Sequence, residues 1–385
     1  MRILAAIMLA VTLPMTSAAY ARATDATNVP PTSAITSPTT QLPAPTGPFA
    51  VGRNVVHLVD TARKDPWIPA QPRELMVSMY YPAQQGGGQR APYATDEEIR
   101  LLLAGQEMTG VPVQALSKAG TNAVVDAAPV NGSYPLVVLS PGFTASRYTL
   151  TALSEELASR GYVVAAVDHA GESFGTEFPG GRMSTCVACK QIDAGTPLSV
   201  VAETRAHDVA FLLDSLTARE PVWPHAHLID TTRIGMAGHS IGGASAAAAM
   251  AIDGRVRAGV NMDGSFDGAV PVAGLGQRPF LMLGTDSDSR PGGGGDPSWD
   301  EAWGRLRGWK RWLTLVGANH NSFADTLALA EQAGLPNQTA LRGGRAVDLT
   351  RAYVAAFFDQ HLRGVGQPLL DGPAPAYPEV RFNKP

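Results

Sequence analysis

The feature that most constrains the fold is a series of short apolar runs that alternate with longer amphipathic segments. Leu136–Leu139, Tyr162–Val167 and Arg233–Ala237 are almost continuously apolar, which is typical of strands that are buried on both faces of a parallel sheet. Helical spacing of apolar residues follows at Leu150–Arg160 and Glu203–Leu216. This alternation predicts an α/β fold with a mostly parallel central sheet and helices on both faces.

The same pattern continues to the end of the chain. Further strands are predicted at Val51–Thr61, Glu74–Tyr81, Ala258–Met262, Pro279–Leu283 and Trp312–Val316. A small-residue helix is predicted at Gly243–Ala251, and a closing helix at Val347–Arg363. Since no linker interrupts the pattern after residue 50, we expect residues 49–385 to form a single catalytic domain.

The N-terminus has the pattern of an export signal followed by a spacer. Arg2 is followed by an apolar run from Ile3 to Leu13 and by the small-x-small triplet Ala19–Ala21, which predicts a signal peptide over residues 1–21. Residues 22–48 are rich in Thr, Pro, Ser and Ala, a composition that predicts a disordered tether. The mature protein is therefore expected to be periplasmic or extracellular, with an uncleaved N-terminal anchor as the alternative.

Charge and cysteine content exclude some classes of protein. The chain has 30 Lys and Arg against 34 Asp and Glu, for a net charge of −4, and no basic stripe, so a nucleic-acid partner is not expected. Two cysteines cannot staple a disulfide-rich scaffold, so the fold must depend on its apolar core. Nothing in the sequence implies an obligate protein partner.

The pentapeptide Gly238–Gly242, of the form G-x-S-x-G, lies between a predicted buried strand and a small-residue helix. In that context the serine of such a motif occupies a tight strand-to-helix turn that exposes its hydroxyl at the carboxyl end of the sheet. Ser240 is therefore the predicted nucleophile.

A serine hydroxyl needs a general base, and the base needs an orienting carboxylate. His320 lies in a polar loop after a predicted strand, whereas His361 falls within the closing helix, so His320 is the predicted base. Asp263 and Asp288 both follow predicted strands. Asp263 is favoured because it directly follows its strand, whereas Asp288 lies in a glycine-rich acidic loop.

An oxyanion hole needs two main-chain N–H groups. The first is expected from Ile241, the residue after the nucleophile. The second is expected from the loop that begins at Ser140. Pro141 has no N–H to donate, so Phe143 is the predicted donor, with Gly142 as the second choice.

Two weaker features remain. Cys186 and Cys189 form a C-x-x-C with no further cysteine to complete a metal site, and in an exported protein this spacing favours a local disulfide over two free thiols. No metal or cofactor is expected. Trp303, Trp309 and Trp312 alternate with basic residues, a pattern explained by core packing or, alternatively, by transient contact with a lipid surface.

Five motifs occur together and in a fixed order. These are Val138–Phe143 (VLSPGF), Leu157–His169 (LASRGYVVAAVDH), Gly238–Gly243 (GHSIGG), Asn261–Gly264 (NMDG) and His320–Asp325 (HNSFAD). Because it carries these motifs in combination, the chain resembles the plasma and intracellular (type II) platelet-activating-factor acetylhydrolases and their bacterial secreted relatives. The resemblance spans residues 50 to 380. The better-known members carry His-Gly where this chain has Pro141-Gly142.

This resemblance implies an α/β-hydrolase fold and metal-independent ester hydrolysis, with short or oxidised sn-2 acyl chains of phospholipids as the namesake substrates. It implies Ser240 as nucleophile, Asp263 as acid and His320 as base. The expected function is that of a secreted serine ester hydrolase. Alternatives are a lipase or a cutinase-like polyester hydrolase acting on longer or polymeric esters, a peptidase or thioesterase, and a non-catalytic binding protein on the same fold.

Overall fold

The computed structural model describes residues 40–287, 289–292, 294–337 and 339–384. The strands are β1 (Ala50–Lys64), β2 (Pro72–Ala83), β3 (Val124–Val125), β4 (Tyr134–Ser140), β5 (Val163–His169), β6 (Thr176–Phe178), β7 (Arg182–Ser184), β8 (Ile229–His239), β9 (Val256–Met262), β10 (Phe280–Thr285), β11 (Lys310–Leu315) and β12 (Val380–Asn383). The helices are α1 (Asp96–Gly105), α2 (Val113–Ser117), α3 (Thr151–Ser159), α4 (Val187–Asp193), α5 (Leu198–Thr217), α6 (Ile241–Ile252), α7 (Pro297–Arg305), α8 (Asp325–Gln332) and α9 (Gly343–Arg363).

Within these ranges one ten-stranded sheet has the order β12-β11-β10-β9-β8-β4-β5-β2-β1-β3, and β6 and β7 form a separate hairpin. The six central strands from β11 to β5 are all parallel to one another. Antiparallel pairs occur toward the edges, where β12 joins β11 and β2 joins both β5 and β1. The predicted α/β fold with a mostly parallel sheet is confirmed.

The apolar runs are continuous because both faces of the sheet are covered. In β4, Val137 and Leu139 pack in a cluster with residues of α3 and α9, whereas Leu136 and Val138 pack in a cluster with residues of α5 and α6. Successive side chains of a strand point to opposite faces, so a strand between two helical layers must be apolar at every position. Ser240, Asp263 and His320 lie just beyond the ends of β8, β9 and β11.

The N-terminal tether was predicted to extend to residue 48, but its last part lies against the domain. Leu42 is 1% exposed, and its main-chain N–H donates to the oxygen of Gly120 at 2.9 Å. Thr46 donates from both its main-chain N–H and its hydroxyl to the Glu156 carboxylate. One apolar side chain and a run of main-chain hydrogen bonds thus hold a segment whose composition predicts disorder. The predicted signal peptide and the rest of the tether, residues 1–39, lie outside the described residues.

Among the described residues, no helix combines the length and the apolar character needed to cross a membrane.

The packing of the N-terminal segment can be tested by substitution. Leu42→Ala removes a side chain from an apolar cluster that contains Tyr93, Leu102 and Leu329, and we expect a loss of about 2–4 kcal/mol in the free energy of unfolding. Leu198→Ala, at a leucine that is 38% exposed, is the matched control and should change it by about 0.5 kcal/mol or less. Chemical denaturation measures both. Equal effects of the two substitutions would show that the segment contributes no packing.

Candidate active site

Ser240 occupies a strained turn between β8 and α6, with φ 55° and ψ −128°. The turn requires the glycines on either side of it. A Cβ added to Gly238 would lie 2.1 Å from the Gly242 oxygen, and one added to Gly242 would lie 2.1 Å from the Ser140 oxygen. The tight strand-to-helix turn expected from G-x-S-x-G is therefore present, at the carboxyl end of a central strand.

His320 lies in a short 3₁₀ turn, His320–Phe323, that follows β11. Its Nδ1 is 2.9 Å from Oδ2 of Asp263. The Asp263 side chain is 1% exposed, whereas that of His320 is 43% exposed. Ser240, Asp263 and His320 line one cavity of about 250 Å³. The structure thus brings together the three residues that the sequence analysis selected.

The Asp263 carboxylate is held by groups that the sequence analysis did not select. Its Oδ1 accepts hydrogen bonds from the main-chain N–H of Thr285 at 2.9 Å and from the Ser289 hydroxyl at 3.0 Å. Both donors come from the end of β10 and the loop after it, next to β9 in the sheet. A carboxylate with these donors and a buried position has a fixed orientation toward His320. Asp288, the alternative acid, lies outside the described residues.

The loop after β4 passes directly beside Ser240. A Cβ on Gly142 would lie 3.5 Å from the Ser240 Cβ, an ordinary contact, and 3.2 Å from His239 Nδ1, a tight one, so the loop packs directly against the turn that carries Ser240. The main-chain N–H of Phe143 has no hydrogen-bond partner among the described residues. Ile241 is the first residue of α6, where an N–H has no partner within the helix. The Phe143 side chain packs against an apolar cluster that includes Ile241.

His239 is a second histidine at the site that the sequence analysis did not select. Its ring lies 4.7 Å from the His320 ring, measured between centroids, and its Nε2 is 2.8 Å from the main-chain oxygen of His320. Burial, followed by repulsion from His320, lowers the pKa of His239 to about 3. The neutral ring therefore donates from Nε2, which fixes the main chain that carries His320. The sequence feature that could have indicated a role for His239 is its position directly before the serine of the pentapeptide.

The insertion that follows β5 contains the two cysteines. Cys186 and Cys189 form a disulfide, and the Ala188 N–H between them donates to the Gly171 oxygen at 2.9 Å. The disulfide segment packs with Ile241 and Phe143 in the same apolar cluster. It therefore forms part of the surroundings of the candidate oxyanion hole.

The tryptophans near the C-terminal half divide between core and surface. Trp312 is fully buried and lies 5.4 Å from the Trp299 ring. Trp303 and Trp309 are partly buried. Lys310 lies over the ring of Trp303, and Arg311 lies over the ring of Trp309. Trp312 is thus a core residue, and it takes no part in a surface patch.

Comparison with known proteins shows that this chain is similar to ester hydrolases. The sequence model described as "Platelet-activating factor acetylhydrolase, isoform II" matches residues 34–178. A probable 1-alkyl-2-acetylglycerophosphocholine esterase of Arthroderma benhamiae is 29% identical over 89% of this chain and 93% of its own length. A ferulic acid esterase structure from Streptomyces cinnamoneus superposes with a TM-score of 0.81 at 43% identity, covering 90% of this chain and 99% of that one.

Residues 34–178 thus match the platelet-activating factor acetylhydrolase, isoform II, family, and over most of its length the chain is similar to esterases. A further relative, the bis(hydroxyethyl) terephthalate hydrolase of Streptomyces coelicolor, is 26% identical over 52% of this chain and 56% of its own length. The relatives share ester hydrolysis while differing in the acid part of the ester.

The protein is a carboxylic ester hydrolase with an α/β-hydrolase fold. Its cavity presents a hydroxyl at a strained turn and an imidazole hydrogen-bonded to a buried carboxylate. Ser240, which lines the cavity, directly precedes the first residue of α6, and the loop after β4 lies next to this serine. Main-chain N–H groups at such positions can stabilise developing negative charge. These are the components of acyl transfer to a serine.

Proposed function

We propose that the protein hydrolyses esters through an acyl-enzyme on Ser240. His320 Nε2 accepts the proton of the Ser240 hydroxyl as its Oγ attacks the ester carbonyl. The N–H groups of Phe143 and Ile241 stabilise the resulting oxyanion, and protonated His320 then protonates the leaving alcohol. Water, activated by His320, cleaves the acyl-enzyme in the second half of the reaction.

Asp263 has two roles in this proposal. Its hydrogen bond to Nδ1 keeps Nε2 free to accept the serine proton, and its negative charge stabilises the imidazolium that forms. The 2.9 Å contact between Asp263 and His320, in the cavity that Ser240 also lines, is the observation that carries the proposal.

The triad is tested by three variants assayed on p-nitrophenyl butyrate. Ser240→Ala removes the nucleophile, and we expect kcat to fall by about 10⁶-fold. Asp263→Asn removes the charge and stabilises the wrong tautomer of His320, so kcat should fall by about 10⁴-fold. Asp288→Asn is the matched control and should retain nearly full activity.

Two results would contradict the assignment. Substantial activity in Ser240→Ala at the same site would exclude Ser240 as the nucleophile. Loss of activity in Asp288→Asn with retention in Asp263→Asn would make Asp288 the acid.

We propose esters with short or compact acyl groups as the substrates, including short-chain sn-2 esters of phospholipids. The cavity of about 250 Å³ is bounded by Trp299 and by the polar side chains of Ser265 and Asp296, which supports a small acyl group over a long alkyl chain. Esters of aromatic acids are the second candidate, because the esterases named for ferulic acid and for bis(hydroxyethyl) terephthalate are both similar to this chain. Lipase or polyester hydrolase activity is the remaining alternative.

A panel of esters separates these candidates. We expect kcat/KM for p-nitrophenyl esters to be highest from acetyl to butyryl and to fall at least about tenfold by octanoyl, since a poorly accommodated methylene costs about 1–3 kcal/mol. A 1-alkyl-2-acetylglycerophospholipid, methyl ferulate and bis(hydroxyethyl) terephthalate complete the panel. Maximal activity on octanoyl or longer esters would overturn the short-acyl proposal and favour a lipase.

We also propose that the protein is exported and acts outside the cytoplasm. The disulfide between Cys186 and Cys189 supports this, since such bonds persist in oxidising compartments. N-terminal sequencing of the secreted form should begin at Arg22, and a mature protein that retains Met1 would contradict cleavage.

A further inference from the structure

A fully buried arginine lies beneath the loop that follows β4. Arg205, on α5, is 1% exposed. Its Nη1 donates to the Pro141 oxygen at 2.5 Å, and its Nη2 is 3.5 Å from the Gly142 oxygen. Nη1 also lies 3.1 Å from the Ser140 hydroxyl. One guanidinium group therefore contacts three consecutive residues of the loop.

These contacts fix the direction of the loop's N–H groups. In a trans peptide the C=O and the following N–H lie in one plane and point in opposite directions. The Pro141 carbonyl belongs to the same peptide unit as the Gly142 N–H, and the Gly142 carbonyl to the same unit as the Phe143 N–H. A guanidinium that attracts both carbonyls from below turns both N–H groups away from itself. A Cβ added to Gly142 would lie 3.5 Å from the Ser240 Cβ, so this part of the loop is next to the serine.

Arg205 is itself held by a buried ionic network. Its Nε donates to Glu172 Oε2 at 2.7 Å, and the other oxygen of Glu172 accepts from Arg73 at 2.8 Å. Arg73 also pairs with Asp208, which is 2.8 Å from Nδ1 of His169.

The network returns to the loop through a second route. His169 Nε2 is 3.1 Å from the Ser140 hydroxyl, which Arg205 also contacts. Arg73, Glu172, Asp208 and His169 are each 3% exposed or less. The loop is therefore anchored from two directions by groups that have little freedom to move.

Stability alone gives a weak reason for such a network. Removing charges from water is costly, and apolar replacement of buried ion pairs often leaves a protein equally or more stable. A guanidinium does, however, supply several N–H donors in a rigid planar arrangement, which an apolar side chain cannot do. The position of this one, against the loop beside Ser240, points to a role in the reaction.

We infer that Arg205 is a positioning residue that orients the peptide units of Pro141, Gly142 and Phe143, so that the loop presents its N–H toward the substrate oxyanion. The inference rests on the proposed function, because it requires Phe143 or Gly142 to act as an oxyanion donor. Arg205 contacts the loop through the main-chain oxygens of Pro141 and Gly142. It therefore affects the transition state indirectly, by orienting the main-chain N–H groups of the loop.

The test compares Arg205→Lys with Arg351→Lys. Arg351 is also buried, and its Nη1 lies within 3.1–3.4 Å of two consecutive main-chain oxygens, those of Pro43 and Ala44, away from the site. A lysine retains the charge and loses the planar set of donors. The assays are kcat and KM for p-nitrophenyl butyrate and the Ki of butylboronic acid, whose tetrahedral serine adduct places an oxygen at the oxyanion position.

We expect Arg205→Lys to lower kcat about 10- to 100-fold, while KM changes by less than about twofold. The reason is that a misplaced oxyanion donor destabilises the transition state more than it destabilises the bound substrate. The Ki of butylboronic acid should rise by a similar factor. Arg351→Lys should leave both within about twofold of the wild-type values, even if its thermal stability falls. If Arg205 had a purely structural role, Arg205→Lys would lower the stability of the protein, as Arg351→Lys does, and the two variants would not differ in kcat or in the Ki of butylboronic acid.

Three outcomes overturn the inference. They are a folded Arg205→Lys with wild-type kcat and Ki, an equal loss of kcat in Arg351→Lys, or a change in KM alone. If Arg205→Lys does not fold, Glu172→Gln replaces it in the test and is judged by the same criteria. This substitution weakens the hydrogen bond that Arg205 Nε donates to Glu172. Full activity in Ser240→Ala would instead refute the proposed function, whereas failure of the Arg205 comparison with an inactive Ser240→Ala refutes only this inference.

Discussion

The Asp263 carboxylate joins the sheet to the site, and the geometry around it depends on the parallel arrangement of the strands. Its two oxygens contact donors from three separate parts of the chain: Thr285 at the end of β10, Ser289 in the loop beyond it, and His320 after β11. Parallel neighbours bring these strand ends to one edge. A charge buried at that edge is tolerated because each contact is a hydrogen bond to the ionised form.

The same edge is reinforced from beneath by other buried polar groups. His239 donates to the main-chain oxygen of His320 from one side. Arg205 and His169 contact the Ser140–Gly142 loop from the other. The turn that carries Ser240 has no space for side chains at Gly238 or Gly242. The groups that define the site thus belong to a rigid layer, as expected for catalysis by preorganised dipoles.

Much of the fold and the central residues of the site could be predicted from local sequence. Continuous apolar runs such as Leu136–Leu139 indicate strands covered on both faces, and G-x-S-x-G between a strand and a helix indicates the turn at Ser240. His320 and Asp263 followed from chain order and from their positions after strands. In each case the signal is local, a few residues in a recognisable context.

The features that could not be predicted depend on contacts between distant parts of the chain. Arg205 reaches a loop more than sixty residues earlier, and no periodicity indicates which loop a helical arginine will contact. The Thr- and Pro-rich composition near Leu42 indicates disorder, yet main-chain bonds to Gly120 and burial of one leucine hold that segment. Such partners are fixed only when the sheet assembles.

Mapping a covalent adduct tests whether Ser240 is the nucleophile of this ester hydrolase. The protein is treated with a fluorophosphonate probe, digested with trypsin and sequenced by mass spectrometry. Cleavage after Arg233 and Arg255 releases residues 234–255, and fragmentation distinguishes Ser240 from Ser245 within that peptide. We expect one adduct, on Ser240, that is lost when the protein is unfolded before treatment. An adduct on another residue of the folded protein, or none at all, would contradict this assignment.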